Sequence, residues 1–319
     1  MLDLWKRWIQ FHELKLESDP IEAPYIHISD AIPLLLDRIS KGDAVKLINN
    51  EHAALRISKA RHYTKQNVLM LLLQYADKSV TDPAFQHLEK GTLRTEPKLD
   101  GEGVAVSAHV AISLEPHDDV GIMYHFLLEE IPGLGRSRIS PFIKSELKAA
   151  TDGVFTYQDP ENNSRVRPYK PDAEILGVPS KKLLAEWDDG VILQGIELVK
   201  LTPDTSEFDE EGFYTEASRH IKIVPDNGSD SSLQNIIERI QVKASAAGYD
   251  DIKIRYKRTK GKQKTTVLGT TQSDLADALI IRDEEVTADE VLGQCMQDIS
   301  DSIAKQMINF ILEMRNSED

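Results

Sequence analysis

From Val104 to Leu114 the chain alternates without a break. Val104, Val106, Ala108, Val110, Ile112 and Leu114 share one parity; Ala105, Ser107, His109, Ala111 and Ser113 share the other. A period of two puts every second side chain on one face of an extended strand. Such a strand needs neighbours, because its backbone N–H and C=O groups must find partners when buried. The chain supplies one at once. Glu115-Pro116-His117-Asp118-Asp119 is a polar turn, Gly121 to Ile131 returns, and Pro132-Gly133 stops it. An antiparallel sheet is therefore the element to which the rest must attach.

Leu4 to Leu16 has the rough alternation and aromatic content of another strand. Ser29 and Asp30 cap an apolar run, Ala31 to Ile39, with Pro33 in its first turn and Gly42 as its stop. Ala44 to Ile48, Ala53 to Ser58 and Val68 to Tyr75 read as short strands between polar turns. Leu69 to Leu73 is continuously apolar, which fits a buried strand or helix segment. Thr81 to Gly103 is turn-rich. Ser137 to Ala150 reads as a helix, Asp159 to Ser180 as a loop holding five prolines or glycines, and Ser180 to Trp187 as a short helix. Val191 to Leu201 is a strong strand.

Thr202 to Glu216 carries six acids and little apolar material, the composition of a linker or exposed loop. It divides the chain into residues 1–201 and 217–319. The second part starts with a strand, His220 to Val224, and a Pro225-Asp226-Asn227-Gly228 turn. A helix follows from Ser231 or Ser232 to Ala247, and Gly248 ends it. Thr287-Ala288-Asp289-Glu290 matches a capping box and opens an expected final helix over residues 288–314. Val291, Met296, Ile299, Ile303, Met307, Phe310, Ile311 and Met314 form its apolar stripe, which suits a core or a dimer contact. The expected class is α+β: mixed or antiparallel sheets with packed helices, a long C-terminal helix, and two domains.

Between that helix pair lies the one strongly basic stretch. Seven of the twelve residues from Lys253 to Lys264 are Lys or Arg, and none is acidic. Ile252, Ile254 and Tyr256 alternate with Lys253, Arg255 and Lys257. Gly261 offers a turn, and Thr265 to Leu268 returns. A turn centred on Lys260-Gly261 sets Val267 opposite Ile254 and Lys264 opposite Lys257. A longer, bulged loop would change that register. The candidate nucleic-acid contacts are Lys253, Arg255, Lys257, Arg258, Lys260, Lys262 and Lys264. An edge strand blunted with lysines is the competing reading.

The formal net charge of −15 argues against a protein that coats nucleic acid with its whole surface. Contact with a polyanion must then be local. The single cysteine, Cys295, excludes an intramolecular disulfide and any multi-cysteine zinc site. No apolar stretch approaches the ~20 residues of a membrane span, and no signal peptide is evident, so a cytoplasmic protein is expected.

The search for chemistry yields little. His109 and His125 lie on neighbouring strands near Asp118 and Asp119, where a satisfied sheet histidine is commoner than a zinc ligand. Asp226, Asp251 and Lys253 echo the Pro-Asp…Asp-x-Lys pattern of metal-dependent nucleases, but a whole helix intervenes. Gly133 to Arg138 precedes a helix and could present amides to a phosphate. No nucleophile elbow, P-loop or dinucleotide fingerprint is found. The expectation is no catalytic residue, no metal and no cofactor.

Glu115-Pro116, Asp118-Asp119-Val120, Met123, His125 and Phe126 resemble a stretch of the RexA-type exclusion proteins of phage lambda. The order of elements afterwards is similar too, down to a late polar hairpin and a final helix with an isolated cysteine. The basic tip, Lys257 to Lys264, is not part of the likeness. The resemblance implies a component of phage exclusion or abortive infection. Such a protein would form a homodimer, bind double-stranded DNA with little sequence preference, and act with a membrane partner. A metal-dependent nuclease using Asp226, Asp251 and Lys253, or an acidic interaction protein or DNA mimic, are the alternatives.

Overall fold

A computed structural model of the chain describes residues 2–159, 162–178, 191–200, 219–223, 233–247, 249, 251–258, 263–269 and 282–318. The chain divides into two units. The first comprises residues 1–176 and 283–319, the second residues 177–282. The acidic stretch at which the sequence reading divides the chain lies outside the described residues.

In the first unit β1 (Lys6–Asp19) is followed by α1 (Ile28–Ser40), β2 (Val45–Ile48), β3 (Ala53–Tyr63) and β4 (Val68–Asp77). The short β5 (Ala84–Gln86) and β6 (Leu93–Thr95) come next, then β7 (Val104–Pro116), β8 (Met123–Glu129), α2 (Arg136–Ala150), β9 (Thr156–Asp159), β10 (Asn162–Pro168) and β11 (Lys170–Gly177). Its main sheet runs β11-β1-β8-β7-β4-β3-β2. From β1 to β2 each neighbouring pair is antiparallel.

The alternation at Val104 to Leu114 explains two faces rather than one. Val110 and Ile112 join Leu69, Leu71, Leu73, Phe126 and Leu128 beneath α1 and α2, whose Leu35, Ile139, Phe142 and Ile143 complete that core. Val68, Met70, Leu72 and Ala111 look the other way and are equally buried. A strand covered on both faces needs no polar parity, which is why residues 68–73 read as an unbroken apolar run. Each large side chain so buried contributes about 1.5–3 kcal/mol.

The cover on the second face is the final helix, placed differently from expectation. It spans Asp301–Glu318, not residues 288–314. Thr287 is instead the last residue of β16 (Asp283–Thr287), paired with Lys6 of β1, so tertiary pairing overrides the local capping signal. Residues 288–300 run across the strand ends: Gln74 donates to the Met296 carbonyl, the Ser107 hydroxyl accepts from the Met296 amide, and Ser107 N–H donates to Gln294 O. Ser300 provides the actual cap, its Oγ accepting from Ile303 N–H at 3.3 Å. Numbered in chain order this last helix is α4. Its Ile303, Met307 and Ile311 are fully buried within the first unit. Val291 is 58% exposed, so the expected stripe is interrupted at its start and its remainder serves as core.

The expected loop 159–180 is mostly strand. Pro168 closes β10 and Pro171 sits second in β11, an edge strand, positions at which sheets tolerate proline. α1 begins at Ile28, ahead of the expected Ser29 and Asp30 caps; its first amide takes the buried Tyr124 hydroxyl at 3.3 Å instead.

The second unit holds β12 (Val191–Lys200), β13 (Arg219–Ile223), α3 (Leu233–Ala246), β14 (Asp251–Arg258) and β15 (Gln263–Gly269). Its sheet runs β13-β12-β14-β15, with both β13 and β14 antiparallel to β12. β13, α3 and β14 therefore form a split β-α-β unit around β12. Ile196, Leu198, Ile252 and Ala244 are buried. The ends of the unit meet in one hydrogen bond, from Arg282 N–H to Val178 O at 2.9 Å. The expected short helix 180–187 lies outside the described residues.

Candidate nucleic-acid interface

The basic stretch forms the expected hairpin, with a register one residue away from the expected one. Ile254 stands opposite Thr266, Lys253 opposite Val267, Tyr256 opposite Lys264 and Lys257 opposite Gln263. The connection is thus longer than a two-residue turn. That is the outcome lysine favours, since a lysine at positive φ is strained. The shift separates the cations by parity. Lys253, Arg255 and Lys257 keep alternate positions along β14, whereas Lys264 falls in line with Tyr256. It also spares the strands a lysine directly opposite a lysine, an arrangement that destabilises sheets. Arg258 ends β14 opposite Val191. Lys260 and Lys262 lie outside the described residues.

Across the sheet, Lys253 stands opposite Glu197 of β12, and Glu197 opposite the exposed Lys222 of β13. A carboxylate position thus stands between two cation positions at the inner end of β14. Toward the hairpin end, Arg255 and Lys257 oppose Gly195 and Ile192, with no acid in register. Charge over the whole chain is segregated in the same sense. The second unit holds 15 of the 38 Lys and Arg and 17 of the 53 acids, a formal −2, which leaves −13 on the first.

Of the nuclease candidates, Asp251 opens β14 opposite Gly269 and Val199, with Lys253 two positions on. Asp226 lies outside the described residues. The glycine loop before α2 closes on itself. Gly133 adopts φ +88°, Arg138 donates to its carbonyl at 2.5 Å, and the Arg138 guanidinium stacks 4.2 Å from the Tyr75 ring.

The two histidines share the face under α4 but serve separate clusters. His109 Nδ1 lies 2.6 Å from Glu129 Oε2, and its Nε2 accepts from the Ser300 amide at 3.0 Å. With Nε2 accepting, Nδ1 is the ring nitrogen that donates to the carboxylate. Glu129 Oε1 also meets Arg7 Nε at 2.8 Å, with both side chains almost wholly buried. The residues Ser300, His109 and Glu129 have the composition of a hydrolytic triad, but not its wiring. The serine meets the imidazole through its backbone, and its hydroxyl donates to Glu290 while capping α4. Glu129 was legible only as an acid ending an apolar strand; Ser300 carried no signal, because a capping box stood upstream.

His125 stacks on His117, with ring centroids 4.4 Å apart and planes within 2°. Burial, then the neighbouring His117 and Arg315, lower its pKa to about 4. His12, under α2, is lowered to about 3 by burial, with Arg136 adding to the effect. Among the described residues no group of three or more His, Cys, Asp or Glu side chains could hold a metal ion, and no helix is long and apolar enough to cross a membrane.

Fold and hairpin together define an α+β protein with an acidic first unit and a second unit carrying a concentrated basic strand pair. Comparison with family models, curated proteins and solved structures returns no match.

Proposed function

We propose that this chain is a non-enzymatic DNA-binding protein that grips the phosphate backbone of double-stranded DNA through the β14–β15 hairpin, with little dependence on base sequence. The observation that supports this is the alternation of Lys253, Arg255 and Lys257 along β14, with Arg258, Lys260, Lys262 and Lys264 completing an acid-free run. Alternate strand residues lie about 6.8 Å apart, close to the through-space separation of adjacent phosphates on one DNA strand, so successive cations can meet successive phosphates. Such contacts position a protein and carry no base code. A role in phage exclusion, as a cytoplasmic homodimer beside a membrane partner, rests on the resemblance at Glu115 to Phe126.

Fluorescence anisotropy on short duplexes of unrelated sequence tests the binding. The logarithm of affinity should fall with log salt by about 0.9 per phosphate met, a slope of about −3 to −6 for three to seven contacts. Changing Lys253, Arg255 and Lys257 to Gln should weaken every duplex alike and flatten the slope by about 3. Unchanged affinity and slope in this variant, with an unchanged circular dichroism spectrum, would refute the hairpin's role. Plasmid nicking with Mg²⁺ that disappears in Asp251→Ala would overturn the non-enzymatic reading in favour of a nuclease.

A further inference from the structure

The last strand of the main sheet covers only part of its neighbour. β2 pairs with β3 from Ala53 to Arg56, and Ile57 N–H still reaches Ala44 O at 2.9 Å. A bulge follows, with Ser58 Oγ donating to Leu72 O at 3.0 Å, and residues 59–63 pair with β4 alone. Among the described residues no strand lies against their outer side. Five residues make about 17 Å of open edge, along which alternate residues turn N–H and C=O groups away from β4.

The flanks of this edge are cationic in an acidic body. Residues 44–67 hold five Lys or Arg (Lys46, Arg56, Lys59, Arg61 and Lys65) against one acid, Glu51, a formal +4 within a unit of −13. Arg61 is paired with Asp301 of the final helix. The other four are exposed, and among the described residues none has a carboxylate partner. Lys59 stands opposite Leu72 and Arg61 opposite Met70, so both belong to the face that the final helix covers further in.

We infer that this edge is a docking site for an acidic peptide of a partner protein, which joins the main sheet as a strand beside β3. In strand addition the main-chain hydrogen bonds give affinity, and alternate side chains give specificity. A Glu or Asp at every second position of the added strand stands beside Lys59 and Arg61, the favourable sign for a cross-strand pair. Lysines along an edge are also the device that keeps edges from aggregating. That device is selective. It turns away a second copy of the same strand, which would set cation against cation, and admits a strand of the opposite sign. A nucleic acid meets the charge but not the edge. Its phosphates only accept hydrogen bonds and leave the outward carbonyls unmet, whereas a peptide offers donors and acceptors in alternation.

The test adds a labelled, end-blocked peptide, Thr-Glu-Val-Glu-Val-Glu-Thr, to the full chain and follows fluorescence anisotropy. Binding should weaken with added salt. The same peptide with Lys in place of Glu should bind about tenfold more weakly or worse. So should the peptide N-methylated at each Glu and Val, which keeps the charge and removes the strand's donors. Lys59→Glu with Lys65→Glu should weaken the acidic peptide about tenfold and leave DNA binding through β14 unchanged, so the two readings fail separately. Hydrogen exchange at residues 58–63 should slow in the complex, a change that a diffuse electrostatic contact does not produce. No binding, equal binding of the N-methylated peptide, wild-type affinity in the double variant, or unchanged exchange at residues 58–63 would overturn the inference. Protection of that segment by a short DNA duplex would overturn it too. Both substituted lysines are exposed, and circular dichroism confirms that the double variant folds.

Discussion

Replacing Glu129 tests whether the buried polar chain under α4 fixes the first unit. Its carboxylate accepts from the His109 ring at 2.6 Å and the His109 amide at 2.9 Å, and forms an ion pair with Arg7 at 2.8 Å. Glu129→Ala strands a guanidinium whose side chain is only 3% exposed. Breaking one side of a buried ion pair costs about 3–5 kcal/mol. Arg7 keeps the carbonyls of Asp3, Lys6 and Gly293 as acceptors, which argues for the lower part of that range. Glu129→Gln keeps an acceptor for the His109 ring but loses the charge, and should cost about 2 kcal/mol. Arg7→Met with Glu129→Leu removes both charges and should recover most of the loss. Urea unfolding followed by tryptophan fluorescence measures all three, with Trp5 and Trp8 flanking Arg7 on and before β1. Glu129→Ala within 1 kcal/mol of the wild type would refute the reasoning, as would a double variant no more stable than the single.

Two further outcomes follow. His125 has a folded pKa of about 4 against about 6.5 when unfolded, so the unfolded chain takes up its proton first. The stability tied to the neutral ring is complete above pH 6.5 and lost as pH falls from 6.5 to 4. Urea midpoints of His125→Phe across that window should therefore fall less steeply than those of the wild type, with His12 retaining part of the slope; parallel curves would exclude the effect. Joining Leu176 to Asp283 through a short Gly-Ser linker should leave the first unit cooperatively folded, because the excised ends meet in the hydrogen bond between Arg282 and Val178. Loss of a cooperative transition in circular dichroism would show that the inserted residues are required.

Much of the sheet was legible because alternation and apolar runs are local properties. Val104 to Leu114 announced β7, Val68 to Tyr75 announced a strand whose apolar run marked it as buried, and Ser137 to Ala150 matched α2 within a residue. The hairpin of Lys253 to Lys264 was legible for the same reason. Its register was not, since one residue more or less in the turn moves every pairing, and the opposing-lysine penalty acts only once the strands meet. Tertiary structure alone decided the last helix. A good capping box at Thr287 lost to the pairing of β16 with β1, and the helix waited for Ser300. It decided the partner of His109 as well, because Glu129 and Ser300 lie far from it in sequence and come close only when β8 and α4 pack on β7. It decided, finally, that Ile303, Met307 and Ile311 belong to a core: an amphipathic stripe states that a face must be covered, and only the sheet's open side, lined by Met70, Leu72 and Ala111, determines by what.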